Sequence, residues 1–144
     1  MKISVGKIDP DVLPYVWDDV VALIVERGPE WLRTVALSDI FQMVQGGHMD
    51  LWGATEDDQL VGVLFASWTR HRHEADYHVN WIAGTGMKKW WRPGLQKIEQ
   101  YVALHNGTAL LIGGRVGWNR LLEPMGYMPM YAAKKFIHPL TGVH

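Results

Sequence analysis

Apolar positions recur along this chain with two periods, and the switches between them divide it into elements. Residues 2–8 alternate, with Ile3 and Val5 set apart by Ser4 and Gly6, which predicts a short first strand. Leu13, Val16, Trp17, Val20 and Ile24 then fall at helical spacing, with Asp18, Asp19, Glu26 and Arg27 elsewhere. Asp11 is the expected cap of that helix, Pro14 fits its first turn, and Gly28-Pro29 should end it with a left-handed residue. Residues 30–37 leave open a further helical turn carrying Trp31 and Leu32. Ser38 is the expected cap of a short helix through Gln45, with Ile40, Phe41 and Val44 inward and Gly46-Gly47 as its stop.

The period of two then returns. Residues 49–55 and 60–69 read as a hairpin around Glu56, Asp57, Asp58 and Gln59, and residues 70–74 as a polar turn. Residues 76–83 alternate polar Asp76, His78 and Asn80 with apolar Tyr77, Val79 and Trp81, a strand with two unlike faces. Gly84-Thr85-Gly86 opens a long helix over residues 87–105, striped by Met87, Trp90, Trp91, Leu95, Ile98 and Val102. Pro93-Gly94 should kink that helix or delay its start, and Asn106-Gly107 closes it. Residues 108–112 are the kind of apolar strand buried on both faces. A short helix over 118–122 follows Gly113-Gly114 and is broken by Pro124 and Gly126, and residues 128–137 supply a last strand. Three meandering strands followed by a strand–helix–strand crossover predict an α/β fold. Its sheet is mixed and mostly antiparallel, with helices on both faces.

Composition narrows the class. At 144 residues the chain fits a single domain, 1–144, and 48% hydrophobic against 20% charged residues excludes extended disorder. The absence of cysteine excludes disulfides and Cys-based zinc sites. A net charge of -1 offers no global attraction to nucleic acid or anionic lipid, so a nucleic-acid binder would rest on local basic clusters alone. No basic segment with an apolar run follows Met1, and no stretch is long enough for a membrane helix, so a cytoplasmic protein without signal peptide or membrane contact is expected.

The densest titratable group is His71, His73 and Glu74, with Asp76 and His78 beyond. His-x-His on a strand points two imidazoles one way and suits a metal, but a solvated hairpin turn explains His71 and His73 better, and no metal is expected. Eight Trp and five Tyr raise the question of a stacking platform, for which core packing is the simpler account. Trp90 and Trp91 do not both fit one inward face. With Lys88, Lys89 and Arg92 they make the helix start basic and aromatic, either a partner surface or a rim around a cofactor.

This order of elements resembles the GCN5-related N-acetyltransferase superfamily. Residues 51–62, from Leu51-Trp52-Gly53 to Leu60-Val61-Gly62, are similar to the family's second hairpin with its acidic turn. Leu121-Leu122-Glu123-Pro124-Met125-Gly126-Tyr127 is similar to its late helix-to-strand phrase, ending in Gly and an aromatic. The run from Gly114-Arg115-Val116-Gly117-Trp118 to Leu122 resembles small acetyltransferase-like proteins of bacteriophages and prophages.

The resemblance implies a splay between the fourth and fifth strands, residues 76–83 and 108–112, with the pantetheine arm of acetyl-CoA in the gap. The pyrophosphate would meet backbone N–H groups where Gly84-Thr85-Gly86 leads into the helix. Cofactor contacts are thus expected from Trp81, Ile82, Gly84, Thr85, Gly86, Met87 and Lys88, with an amide near Trp81 or Ile82 polarising the thioester carbonyl. His78, or Glu74 if its strand begins early, would take the proton of a primary amine. The acceptor stays open among a protein Lys, an N-terminus, a small amine and a modified nucleobase. Three positions depart from the family. Trp81 stands where Arg or Gln is usual, Leu122 where many members carry a Tyr acid, and Arg115 in place of an Asn. A catalytically silent scaffold, associated with a virion or with a phage or host protein, is therefore the competing reading.

Overall fold

The structure, a computed structural model, describes residues 2–113, 122–127 and 133–137. Among these the order is β1 (Ile3–Ile8), α1 (Leu13–Arg27), a 3-10 turn (Pro29–Arg33), α2 (Leu37–Gln45), β2 (Asp50–Glu56), β3 (Gln59–Arg70) and β4 (Ala75–Gly84). Then come α3 (Met87–Leu104), β5 (Ala109–Ile112), a second 3-10 turn (Glu123–Met125) and β6 (Ala133–Phe136). The expected helix over 118–122, except for Leu122, and the first part of the last strand, 128–132, lie outside the described residues.

The strands form one sheet in the order β1-β2-β3-β4-β5-β6. Among the described strands only β4 and β5 run parallel, because α3 carries the chain back across the sheet between them. The helices segregate to two faces. α3 buries Trp90, Leu95, Ile98 and Val102 against Val5, Trp52, Leu64, Tyr77, Val79 and Leu110. On the other face α1 and α2 bury Leu13, Val20, Ile24, Ile40 and Val44 against Leu51, Val63 and Phe65. The mixed, two-faced architecture is therefore as the periodicity implies. No helix among the described residues is long and apolar enough to cross a membrane.

Several local expectations are corrected. Asp11 does not cap α1. Val12 is the cap residue, and the preceding turn is closed by Asp9, whose carboxylate accepts from the Asp11 N–H at 2.9 Å. Gly28 is not left-handed, with φ at -138°. Its missing side chain instead admits the Trp31 ring, which a Cβ would meet at 2.9 Å. Ser38 lies inside α2, whose cap is Ala36. Pro93 falls within α3, whose start at Met87 it does not delay. Asp57 and Asp58, with φ of 51° and 68°, make the two-residue hairpin turn whose backbone matches the twist of paired strands.

Candidate functional site

Strict alternation along β4 fails at one residue. Phe65 of β3 pairs with Trp81 and Ala66 with Val79, so Asn80 is an extra residue, a β-bulge. Tyr77 and Val79 consequently face α3, whereas Trp81 and Ala83 face the α1/α2 layer. The expectation that Trp81 shares a face with Tyr77 and Val79 is overturned by this inserted residue. Trp81 stacks on Trp31, with centroids 5.5 Å apart and planes at 23°, and meets Phe65 edge-on at 6.0 Å. An aromatic wall thus stands at the position where the family resemblance places Arg or Gln.

The parallel ladder ends beside the bulge. β4 and β5 pair from Asp76↔Ala109 to Val79↔Ile112, and the last bond runs from the Gly113 N–H to the Val79 oxygen at 3.1 Å. From Asn80 to Gly84 the edge of β4 that faced β5 has no strand partner among the described residues. The described part of the parallel ladder thus ends one residue before the bulge.

Only Thr85 and Gly86 connect β4 to α3. Gly84 is a strand residue opposite Gly62, and a Cβ there would meet the Val61 oxygen at 2.5 Å. Thr85 donates its N–H to that same oxygen at 2.8 Å, while its carbonyl accepts from Trp90 Nε1 at 2.9 Å. The first two members of Gly84-Thr85-Gly86 therefore serve packing. Gly86 differs, being left-handed (φ 62°) and exposed as the cap residue of α3, with no side chain closing the first turn. At this positive end of an 18-residue helix the Lys89 N–H donates to the Gly86 carbonyl at 2.9 Å, and no side chain caps the amides before it. Lys89 is paired with Glu56 at 3.0 Å, whereas exposed Lys88 has no ion pair among the described residues. Trp90 is buried and Trp91 half-buried under Arg92, so the neighbouring indoles divide between core and surface.

His78 is half-buried on the α1/α2 face, directly across from Ser67. Asn80 Nδ2 donates to Ser67 Oγ at 3.0 Å, bringing Ser67, His78 and Asn80 together beside the aromatic wall. Glu74 precedes β4 in the turn, where its carbonyl accepts from the His71 N–H at 2.7 Å. Four residues of strand separate it from His78, about 13 Å at strand rise, so the two candidate bases are not at one point. A cleft of about 400 Å³ lined by His48, Met49, Asp50 and Arg70 reaches the same Ser67. No group of three or more His, Asp or Glu among the described residues is placed to hold a metal ion. Ser67, Asn80 and Trp31 escaped sequence reasoning, since a bulge leaves no mark in an alternating pattern. On the α3 face Tyr77 donates to Asp50 at 2.6 Å and accepts from Trp52 at 2.9 Å, bracing β4 to β2; burial first, then the carboxylate, raises its hydroxyl pKa.

No protein-family model matches the chain, and no curated protein sequence matches it. Solved structures do. A Desulfovibrio desulfuricans protein described as a GNAT-family acetyltransferase superposes with a TM-score of 0.63 at 18% identity, covering 95% of this chain and 100% of its own. Aminoglycoside 6'-acetyltransferase type Ii gives 0.70 at 17% identity, with 96% and 99% covered. The PaiA N-acetyltransferase of Thermoplasma acidophilum, solved with coenzyme A, gives 0.63 at 12% identity, with 94% and 99% covered. At such identities the likeness establishes a shared fold, and that fold is the GNAT one.

Proposed function

We propose that this chain is an N-acetyltransferase that moves an acetyl group from acetyl-CoA to a primary amine. The observation that carries the reading is the coincidence, at one point of the sheet, of the Asn80 bulge with the end of the described β4–β5 ladder, followed by an uncapped helix start. These features fit an extended thioester with phosphates at one end. Bound acetyl-CoA supplies the activated acyl group. The first amides of α3 and Lys88 hold the phosphates. An amide freed by the bulge at Trp81 or Ile82 donates to the thioester carbonyl, and Trp81 with Trp31 walls the site. His78 takes the amine's proton as the C–N bond forms and the C–S bond breaks, with sulfur leaving as the CoA thiolate. The cleft ending at Ser67 gives the acceptor an approach, and one structural neighbour is named for acetylating aminoglycosides.

The experiment is titration of the purified protein with acetyl-CoA, followed by thiol release. At a hundredfold excess over Kd a ligand selective for the folded state adds about 2.7 kcal/mol, enough to raise Tm by several degrees. Thiol is then measured with a lysine peptide, a peptide with a free N-terminus, spermidine and kanamycin in turn. No shift at millimolar acetyl-CoA overturns the reading. One observation favours the alternative of a silent scaffold: Leu122, at the place of the family's Tyr acid, is fully buried in the α3-side core. Binding without turnover is the result that alternative expects if the acyl-donor cradle persists.

A further inference from the structure

We propose that the Asn80–Ser67 hydrogen bond aims the bulge, making Asn80 a positioning residue for acyl transfer; this rests on the acetyltransferase reading above. The residues on either side of Asn80 are held by packing on opposite faces. Val79 is buried under α3, and Trp81 is stacked on Trp31 beneath α1. The chain must cross the sheet plane between them, and the residue that makes the crossing is exposed, so no side-chain packing fixes how its two peptide planes rotate. Its side chain supplies the restraint by donating to Ser67 Oγ at 3.0 Å.

Ser67 is well placed for this task. It lies in β3 between buried Ala66 and half-buried Trp68, and its cross-strand partner is His78. One hydroxyl therefore references the bulge peptides to the strand position that carries the proposed base. Having accepted from Asn80, it keeps its own O–H to donate on the face where the amine arrives. The N–H groups around residues 80–82 need a defined direction to meet a carbonyl oxygen, since an oxyanion hole acts through donors oriented before the reaction. Releasing the Asn80 side chain leaves the bulge in place, because Trp81 and Val79 still demand opposite faces, but frees its peptide planes to rotate.

The test uses Asn80→Ala, Ser67→Ala and Ser67→Thr, the last keeping the hydroxyl on a residue suited to strands. Both Ala variants are expected to lower kcat about tenfold to a hundredfold, the scale on which small misplacements act. Their acetyl-CoA Kd by calorimetry should stay within about twofold, and Ser67→Thr should recover most of the rate. Amide hydrogen exchange at residues 80–82 should quicken in the Ala variants and not in Ser67→Thr. Wild-type kcat and wild-type exchange in Asn80→Ala overturn the proposal, as does a rise in Kd that accounts for the whole loss of rate. Should wild-type protein neither bind acetyl-CoA nor release thiol, the acetyltransferase reading falls. The exchange rates then still decide whether the link holds the bulge.

Discussion

The indole of Trp90 lies over Gly62, with Cε2 only 2.8 Å from where a Cβ would stand, and this contact sets how closely α3 begins against the sheet. The same ring meets a Cβ placed on Gly84 at 3.0 Å and donates to Thr85, so one side chain fixes both the end of β4 and the two-residue connection. Gly62→Ala is expected to lose about 1–3 kcal/mol by overpacking. Thermal denaturation should show a Tm drop of several degrees, and acetyl-CoA affinity should fall because the start of α3 is displaced. An unchanged Tm would mean that Trp90 has another rotamer available.

Gly86 allows the charge of the helix start to be tested apart from its conformation. Asn and Asp both tolerate a positive φ better than other side chains, so Gly86→Asn and Gly86→Asp share much the same backbone cost at φ 62°. Only Asp adds a carboxylate where phosphate is expected. Calorimetry should show acetyl-CoA bound at least about tenfold more weakly by the Asp variant than by the Asn variant, the scale of one or two kcal/mol at a helix terminus. Equal affinities would place the phosphates elsewhere.

His78→Gln keeps a polar side chain of similar size opposite Ser67 and removes the base. Loss of a positioned general base costs about a hundredfold to ten-thousandfold. The expected pattern is a fall of that order in kcat with the acetyl-CoA Kd unchanged, measured by thiol release. Glu74→Gln, in the turn before β4, should leave kcat near wild type. If the two effects are reversed, the base lies at the far end of the strand.

Which parts of this molecule were legible in its residues follows from what each signal encodes. The stripes of α1 and α3, the hairpin turn at Asp57-Asp58 and the apolar run of β5 carry their periodicity locally, and each forms close to where it reads. Asp11 and Ser38 are plausible caps because capping depends on short polar side chains, yet the Asp9 carboxylate closes the turn before α1 and the Ala36 carbonyl accepts at the start of α2. Of the candidate site, only the placement of residues was legible, and only in part. Gly86 and Lys88 lie at the start of α3 as expected, whereas Gly84 is a glycine for close sheet packing. The face carrying Trp81 depends on one inserted residue whose placement is decided by Trp31 and Phe65, from other parts of the chain. No window around Asn80 contains that information.

Two buried tyrosines predict the alkaline limit of the fold. Tyr77 donates to Asp50, and Tyr127 donates to Glu99 at 2.9 Å. Burial first, then the carboxylate partners, raises both hydroxyls above the ordinary value of 10.0. Below that pH both folded and unfolded chains hold the proton and their contribution to stability is complete. Above it the unfolded chain loses protons that the folded chain keeps, so stability falls by about 1.4 kcal/mol per pH unit for each tyrosine. Urea midpoints should therefore decline above about pH 10, and Tyr127→Phe should roughly halve the slope. A slope unaltered by that substitution would assign the alkaline loss to other groups.

Leu122→Tyr separates a missing acid from a filled core. In the resembling family this position often carries a tyrosine able to protonate a departing thiolate, so restoring the phenol is the natural repair. The structure argues against its success. Leu122 is 0% exposed and packs in the same cluster as Leu110, Ile112 and Tyr127. A tyrosine must either force its ring and hydroxyl into that cluster or turn outward and leave a void behind. Overpacking of this kind costs about 1–3 kcal/mol, and an unpaired buried hydroxyl adds about 1–3 kcal/mol more. The expected result is a Tm lowered by several degrees, with no gain in thiol release at a temperature where the variant is fully folded. Leu122→Met, close in volume, should change neither quantity appreciably and serves as the packing control. A Tyr variant that raises kcat while keeping the wild-type Tm would show that the phenol has room to reach the sulfur, and that the acid is the part this chain lacks.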